Sequence, residues 1–138
     1  MNQYKTIDNN DDAVTVAMSR PSYKKGDIVL VDLGFIQDDC IVRKVRPAII
    51  QSCTQYNSVS PIMQIIPMSK KFKNMDSPYH VFIDKEDCEY LNASGVAMVE
   101  QLTTIDRSKV IHYIGRIKEN TLINKLNRAI INQLNLEV

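Results

Sequence analysis

Cysteine is scarce in this chain of 138 residues, with only Cys40, Cys53 and Cys88, an odd number without any Cys-x-x-Cys spacing. A closed disulfide framework is thereby excluded, and a structural zinc site has no sequence support. Long apolar runs are missing too. Nothing approaches the roughly 18 consecutive apolar residues of a membrane-spanning helix. The polar segment Met1 to Asn10 lacks the apolar centre of a secretory leader. Phosphate-cradling glycine phrases of the Gly-x-Gly-x-x-Gly or Walker A kind do not occur, and glycine totals four. Charge of one sign is also not in excess: the formal net charge is +1. A nucleic acid would have to be held by a local concentration of cations, not by a global field. The expectation is a cytoplasmic protein with no membrane association and no metal or other cofactor.

What is present is an ordinary globular composition, 44% apolar and 24% charged, and a length suited to one core. Residues 1–22 read as a flexible N-terminal arm carrying Asp8, Asp11 and Asp12, and residues 23–138 as the domain. Lys24-Lys25-Gly26-Asp27 is a turn signal, followed by a buried strand from Ile28 to Leu33. A charged loop at 34–45 contains Asp38, Asp39, Arg43 and Lys44. Pro47 to Ser52 reads as a second strand and Ile62 to Met68 as a third, with Pro67 marking an edge or bulge. Tyr79 to Ile83 and Gly95 to Gln101 read as further strands, Thr103 to Asp106 as a turn, and Val110 to Ile117 as a last strand. From Thr121, Leu122, Leu126, Ala129, Ile130 and Leu134 follow a helical stripe, with Asn120 or Thr121 able to cap it. The fold expected is mainly β with a C-terminal α-helix, the strands closing into a small barrel.

Two strand ends carry the chemistry. Val45-Arg46-Pro47-Ala48-Ile49-Ile50 sets a cation at the mouth of one strand, and Met68-Ser69-Lys70-Lys71 sets a hydroxyl at the end of another. A planar guanidinium fork suits the non-bridging oxygens of a phosphodiester, and a hydroxyl can donate to the same group or relay a proton. A guanidinium keeps its proton under ordinary conditions, so charge stabilisation is the first role for Arg46 and acid–base work the second. Arg43, Lys44, Lys70 and Lys71 flank the pair as candidate phosphate contacts, which would give affinity without sequence information. Glu100 is a candidate base and Gln101 a candidate reader of a base edge, or both close a hydrogen-bond network at a strand end. His80 is either an acid–base group or a partly buried structural histidine.

Taken in order, these phrases resemble the MazF/PemK family of toxin endoribonucleases, from about Lys25 to Leu136. Lys25-Gly26-Asp27 with Asp32-Leu33, Arg46-Pro47, Ser60-Pro61 before Met68-Ser69, His80-Val81 with Ile83, and Glu100-Gln101-Leu102 with Thr104-Ile105-Asp106 carry the match. The resemblance implies an SH3-like barrel of the CcdB–PemK type, a homodimer, a neutralising antitoxin peptide, and metal-independent, sequence-selective cleavage of single-stranded RNA. It implies catalytic roles for Arg46 and Ser69, and places Glu100 and Gln101 beside the substrate groove. Three departures stand out: the loop at 34–45 lacks the family's glycine-rich phrase, Thr103 replaces a common arginine, and Ser69 replaces threonine. Two other readings accompany this one, a gyrase-inhibiting toxin on the same barrel and a relative that binds RNA or antitoxin without cutting.

Overall fold

The computed structural model describes residues 22–35, 40–70 and 77–137. The arm expected at 1–22 therefore lies almost wholly outside the described residues, as do Asp38, Asp39 and Lys71. Eight strands and two helices follow in chain order: β1 (Asp27–Asp32), β2 (Val45–Ile50), α1 (Thr54–Val59), β3 (Ile62–Ser69), β4 (His80–Ile83), β5 (Cys88–Glu89), β6 (Gly95–Met98), β7 (Thr103–Asp106), β8 (Val110–Ile117) and α2 (Asn120–Leu134). The strands form one curled antiparallel sheet in the order β4-β6-β3-β2-β1-β8-β5, with β7 on β3. This is the expected mainly-β half-barrel with a C-terminal helix.

β1, β2 and β3 are mostly apolar, broken by Arg46 on β2 and Gln64 on β3, because both faces of their central stretches are covered. Ile28, Ile49 and Ile66 pack with Val81, Ile83 and the helix residues Leu122, Leu126 and Ala129. On the opposite face Val29, Val31, Ala48, Ile50, Met63, Ile65 and Ile105 form a second cluster. Burying each large aliphatic chain contributes about 1.5–3 kcal/mol, so these two layers hold the sheet from either side.

β3 serves three partners. Residues 65–67 pair with β2, Ile62 to Ile65 pair with β7, and Met68 and Ser69 pair with β6. Pro67 is buried and lies between the β7 and β6 ladders, where its missing N–H interrupts neither. It is neither an edge nor a bulge marker. Thr103–Asp106 is a strand and not a turn, and the strand expected through Gln101 stops at Met98, giving way to a 3-10 turn over Val99–Gln101. The N-cap of α2 is Glu119, with no side-chain cap bond, so neither Asn120 nor Thr121 caps it.

Polar groups pin the frame at a few points. Asn57 is fully buried on α1; its amide donates to Tyr23 O (3.2 Å) and Ser52 O (2.9 Å), and its Oδ1 accepts from Ser52 Oγ (2.5 Å). The same Ser52 hydroxyl accepts from Gln64 N at 3.1 Å, tying α1 to β3. Burial pushes the Asp27 carboxyl up, opposed by the Lys24 N–H and by the charges of Lys24 and Arg116. The buried Cys88 thiol is pushed up to about 11 by burial and by Asp87 and Asp84, which keeps it unreactive near neutrality. At Gly115 an added Cβ would lie 2.8 Å from Glu89 O and 3.1 Å from Leu91 N, so only glycine lets β5 and its following loop approach β8.

Candidate functional site

Arg46 enters β2 as the partner of Val31 on β1, the second residue of the strand. Its Nε donates to Arg43 O at 2.8 Å, fixing the base of the guanidinium. No described residue is recorded as a partner of its two terminal nitrogens. Ser69 is the last residue of β3, half-buried, paired with Val96. The β2–β3 register runs Ile50↔Ile65, Ile49↔Ile66, Ala48↔Pro67. Beyond that point Met68 and Ser69 pair with β6, while Arg46 pairs with Val31 on β1. The ladder itself ends at Ala48–Pro67, so the two strand ends part just where these side chains stand.

The loop before β2 is closed at its base. Leu33 N donates to Lys44 O (2.9 Å) and Lys44 N to Gly34 O (2.8 Å), while Asp32 Oδ1 accepts from Gly34 N (2.9 Å). Gly34 at φ 87° and Lys44 at φ 73° both adopt left-handed backbone. That conformation suits glycine but costs a lysine about 1–2 kcal/mol, so the loop stores strain beside Arg46.

The remaining candidates divide. Gln101 uses both ends of its amide on this loop: Oε1 accepts from Val42 N (3.2 Å) and Nε2 donates to Cys40 O (3.1 Å). Glu100 Oε2 meets His80 Nε2 at 2.8 Å. That pairing puts the imidazole proton on Nε2, an assignment from the hydrogen-bond pattern, and leaves Nδ1 buried without a partner among the described residues. His80 is thus the partly buried histidine of the two alternatives. Glu100 and Gln101 thus each make side-chain hydrogen bonds, one to His80 and the other to the loop.

The cations are spread over separate recesses. Arg43 lines one of about 380 Å³ with Asp32, Thr103, Thr104 and Lys109. Lys44 lines another of about 540 Å³ with Phe35, Val45 and Lys109. Lys70 and Ser69 border a largely apolar cavity of about 230 Å³ with Pro47, Leu91 and Asn92. Lys71 lies outside the described residues. Lys109 is a cation that sequence reasoning missed; it stands outside every phrase singled out above, and only the fold carries it to Arg43 and Lys44. Among the described residues no three His, Cys, Asp or Glu side chains gather as a metal site, and no helix is long and apolar enough to cross a membrane.

The arrangement offers a guanidinium with its Nε fixed on the end of β2, a hydroxyl on the end of β3, and further cations in recesses along this side of the sheet. Such a set can grip a phosphodiester and stabilise charge that develops on it.

Comparison with known proteins gives this geometry a context. Residues 24–134 match the family described as PemK-like, MazF-like toxin of type II toxin–antitoxin system. Among solved structures, MazF from Deinococcus radiodurans (Form-I) superposes with a TM-score of 0.70 at 20% identity, covering 84% of this chain and 99% of that one. An endoribonuclease from a mycobacterial species gives 0.69 at 17% identity, over 87% and 98% of the two chains. A mycobacterial endoribonuclease in complex with its cognate antitoxin gives 0.66 at 18% identity, over 86% and 99%. These structural likenesses are likenesses of fold. Among curated proteins none matches significantly.

Proposed function

The chain belongs to the PemK-like, MazF-like toxin family of type II toxin–antitoxin systems, and from that premise we propose that it is a metal-independent, sequence-selective endoribonuclease acting on single-stranded RNA. It works in the cytoplasm as a homodimer and is neutralised by a cognate antitoxin peptide. The observation that supports this most is the 2.8 Å bond from Arg46 Nε to Arg43 O, which fixes a guanidinium at the open end of β2.

In this reading the nucleophile is the substrate's own 2′-hydroxyl, so DNA is not cut. The oxygen attacks the adjacent phosphorus in line, the 5′-oxygen leaves, and the products are a 2′,3′-cyclic phosphate and a 5′-hydroxyl. The protein's contribution is alignment and charge stabilisation. Arg46 faces the non-bridging oxygens with its terminal nitrogens, while Arg43 O holds its Nε. Ser69 donates to the same phosphate from across the gap. Arg43, Lys44, Lys70 and Lys71 follow the backbone on either side, and Glu100 lines the groove from the turn after β6.

The test is cleavage of a long single-stranded RNA by purified protein in EDTA, with the fragment ends mapped. Discrete fragments ending in cyclic phosphate and 5′-hydroxyl support the proposal, and their ends give the recognition motif. A magnesium requirement with 5′-phosphate products overturns the mechanism. Absence of cleavage leaves the RNA- or antitoxin-binding relative as the better reading.

Lys44 allows strain and charge to be separated. Lys44→Gly relieves the left-handed backbone and is expected to raise stability by up to about 1 kcal/mol in denaturant unfolding. The same change removes one phosphate contact, so the slope of log affinity against log salt should fall by about 0.7 for single-stranded RNA. An unchanged slope would show that Lys44 does not reach the backbone.

A further inference from the structure

The 3-10 turn Val99–Gln101 is fastened on three sides. Val99 is buried and its N–H donates to Tyr79 O at 3.0 Å; Leu102 N closes the turn onto Val99 O at 3.0 Å; Glu100 is paired with His80 at 2.8 Å. From this fixed base Gln101 reaches a loop far away in sequence. Its amide takes the Val42 N–H and gives an N–H to Cys40 O, as a neighbouring strand would do with one residue's N–H and C=O. The next residue, Arg43, supplies the carbonyl that receives Arg46 Nε, and the residue after it, Lys44, closes the loop base on Gly34. Residues 40–44 are thus tied at one end by backbone bonds to Leu33 and Gly34 and at the other by the Gln101 amide. Turning the Gln101 amide to follow a nucleobase would break both of its bonds.

We propose that Gln101 is a positioning residue: through Val42 and Cys40 it holds the loop whose Arg43 carbonyl aims the Arg46 guanidinium. It does so in place of reading a base. The inference rests on the endoribonuclease reading for its catalytic consequence, but the latch itself is measurable without RNA. A loop with no glycine between Phe35 and Val45 needs such an external tie to keep one shape, and a shift of about 1 Å in a positioned group is enough to cost about 10²-fold in rate.

The experiment compares wild type, Gln101→Ala and Gln101→Glu. Without RNA, NMR exchange is measured at the Val42 amide and the Arg46 Nε–H, each as a protection factor so that pH is accounted for. With RNA, kcat and KM are measured separately. In Gln101→Ala both protections should fall by at least about 10-fold, and kcat by about 10²-fold with KM nearly unchanged. Gln101→Glu gives the rescue. Ionised, its carboxylate still accepts from Val42 N but repels Cys40 O; protonated, it has one donor and one acceptor, like the amide. Its protection and kcat, as ratios to wild type, should therefore rise as the pH falls from about 6 to about 4, through the ordinary glutamate range.

Unchanged protection at Val42 and Arg46 in Gln101→Ala overturns the proposal. So does a loss confined to KM for particular RNA sequences, which would mark a base reader. If the wild type cuts no RNA, the endoribonuclease reading fails, and the exchange data alone still decide the latch.

Discussion

Arg46→Ala is expected to lower the single-turnover rate of RNA cleavage by about 10²–10³-fold, the loss typical of a removed charge-stabilising donor. The thermal midpoint should hardly move. Arg46 is half-buried at the open end of β2, and among the described residues its side chain makes one recognised hydrogen bond, to Arg43 O, while its strand is anchored by Ala48, Ile49 and Ile50 in the core. Arg46→Lys sharpens the test. A lysine keeps a charge at the strand mouth but lacks the planar fork and the fixed Nε–H. If only field strength matters, lysine should recover most of the rate; if the fork matters, it should stay close to alanine. The geometry favours the second outcome, because the bond to Arg43 O directs the terminal nitrogens and an ammonium has no equivalent of that hinge. A variant with wild-type rate would remove Arg46 from the chemistry altogether.

The second large effect concerns stability. Asn57→Ala should cost about 3 kcal/mol, since it leaves Tyr23 O, Ser52 O and the Ser52 hydroxyl without their partner in a fully buried site. For a chain of this size that corresponds to a fall of roughly 10 °C in Tm. Asn57→Asp should be at least as damaging: it keeps the acceptor for Ser52 Oγ but loses both N–H donors and buries a charge. Calorimetry checks both. At a temperature where the alanine variant remains folded, cleavage should be near the wild-type rate, because Asn57 sits on α1 and outside the groups that surround Arg46 and Ser69. A loss below about 1 kcal/mol would mean that water replaces the side chain's hydrogen bonds.

The same residue shows where sequence reading reaches its limit. β1, β2 and β3 are legible because burial on both faces makes them mostly apolar, and α2 because Leu122, Leu126 and Ala129 recur at helical spacing. On α1 the one buried side chain is the polar Asn57, so the usual apolar signal is absent and the helix is missed. Thr103–Asp106 looks like a turn because only Ile105 among its four residues is buried; its strand character comes from β3 alongside. Val99 prolongs the apolar run of β6, yet the chain turns there to set Glu100 on His80 and Gln101 on the loop. Arg46 and Ser69 are each conspicuous at a strand end. How those strand ends lie relative to one another depends on register, and stretches apolar on both faces carry no alternation from which register could be read. The part played by Gln101 depends on how the loop folds back, which no spacing encodes.

β3, with its three partners, also fixes an order of assembly. Its pairing with β2 closes a short loop spanned by α1, whereas the seam between β1 and β8 joins Asp27 to Arg116 across nearly the whole domain. Short closures cost little chain entropy and form early, and distant ones wait until other contacts have been made. Conservative truncations at Ile49 and Ile66 should therefore slow refolding, while Gly115→Ala should mainly hasten unfolding, a contrast that stopped-flow chevrons resolve. Arg46 and Ser69 stand on the early hairpin. The hairpin that carries the two groups expected to grip RNA thus forms while the polypeptide is still open, and the last seam to close determines how long it persists.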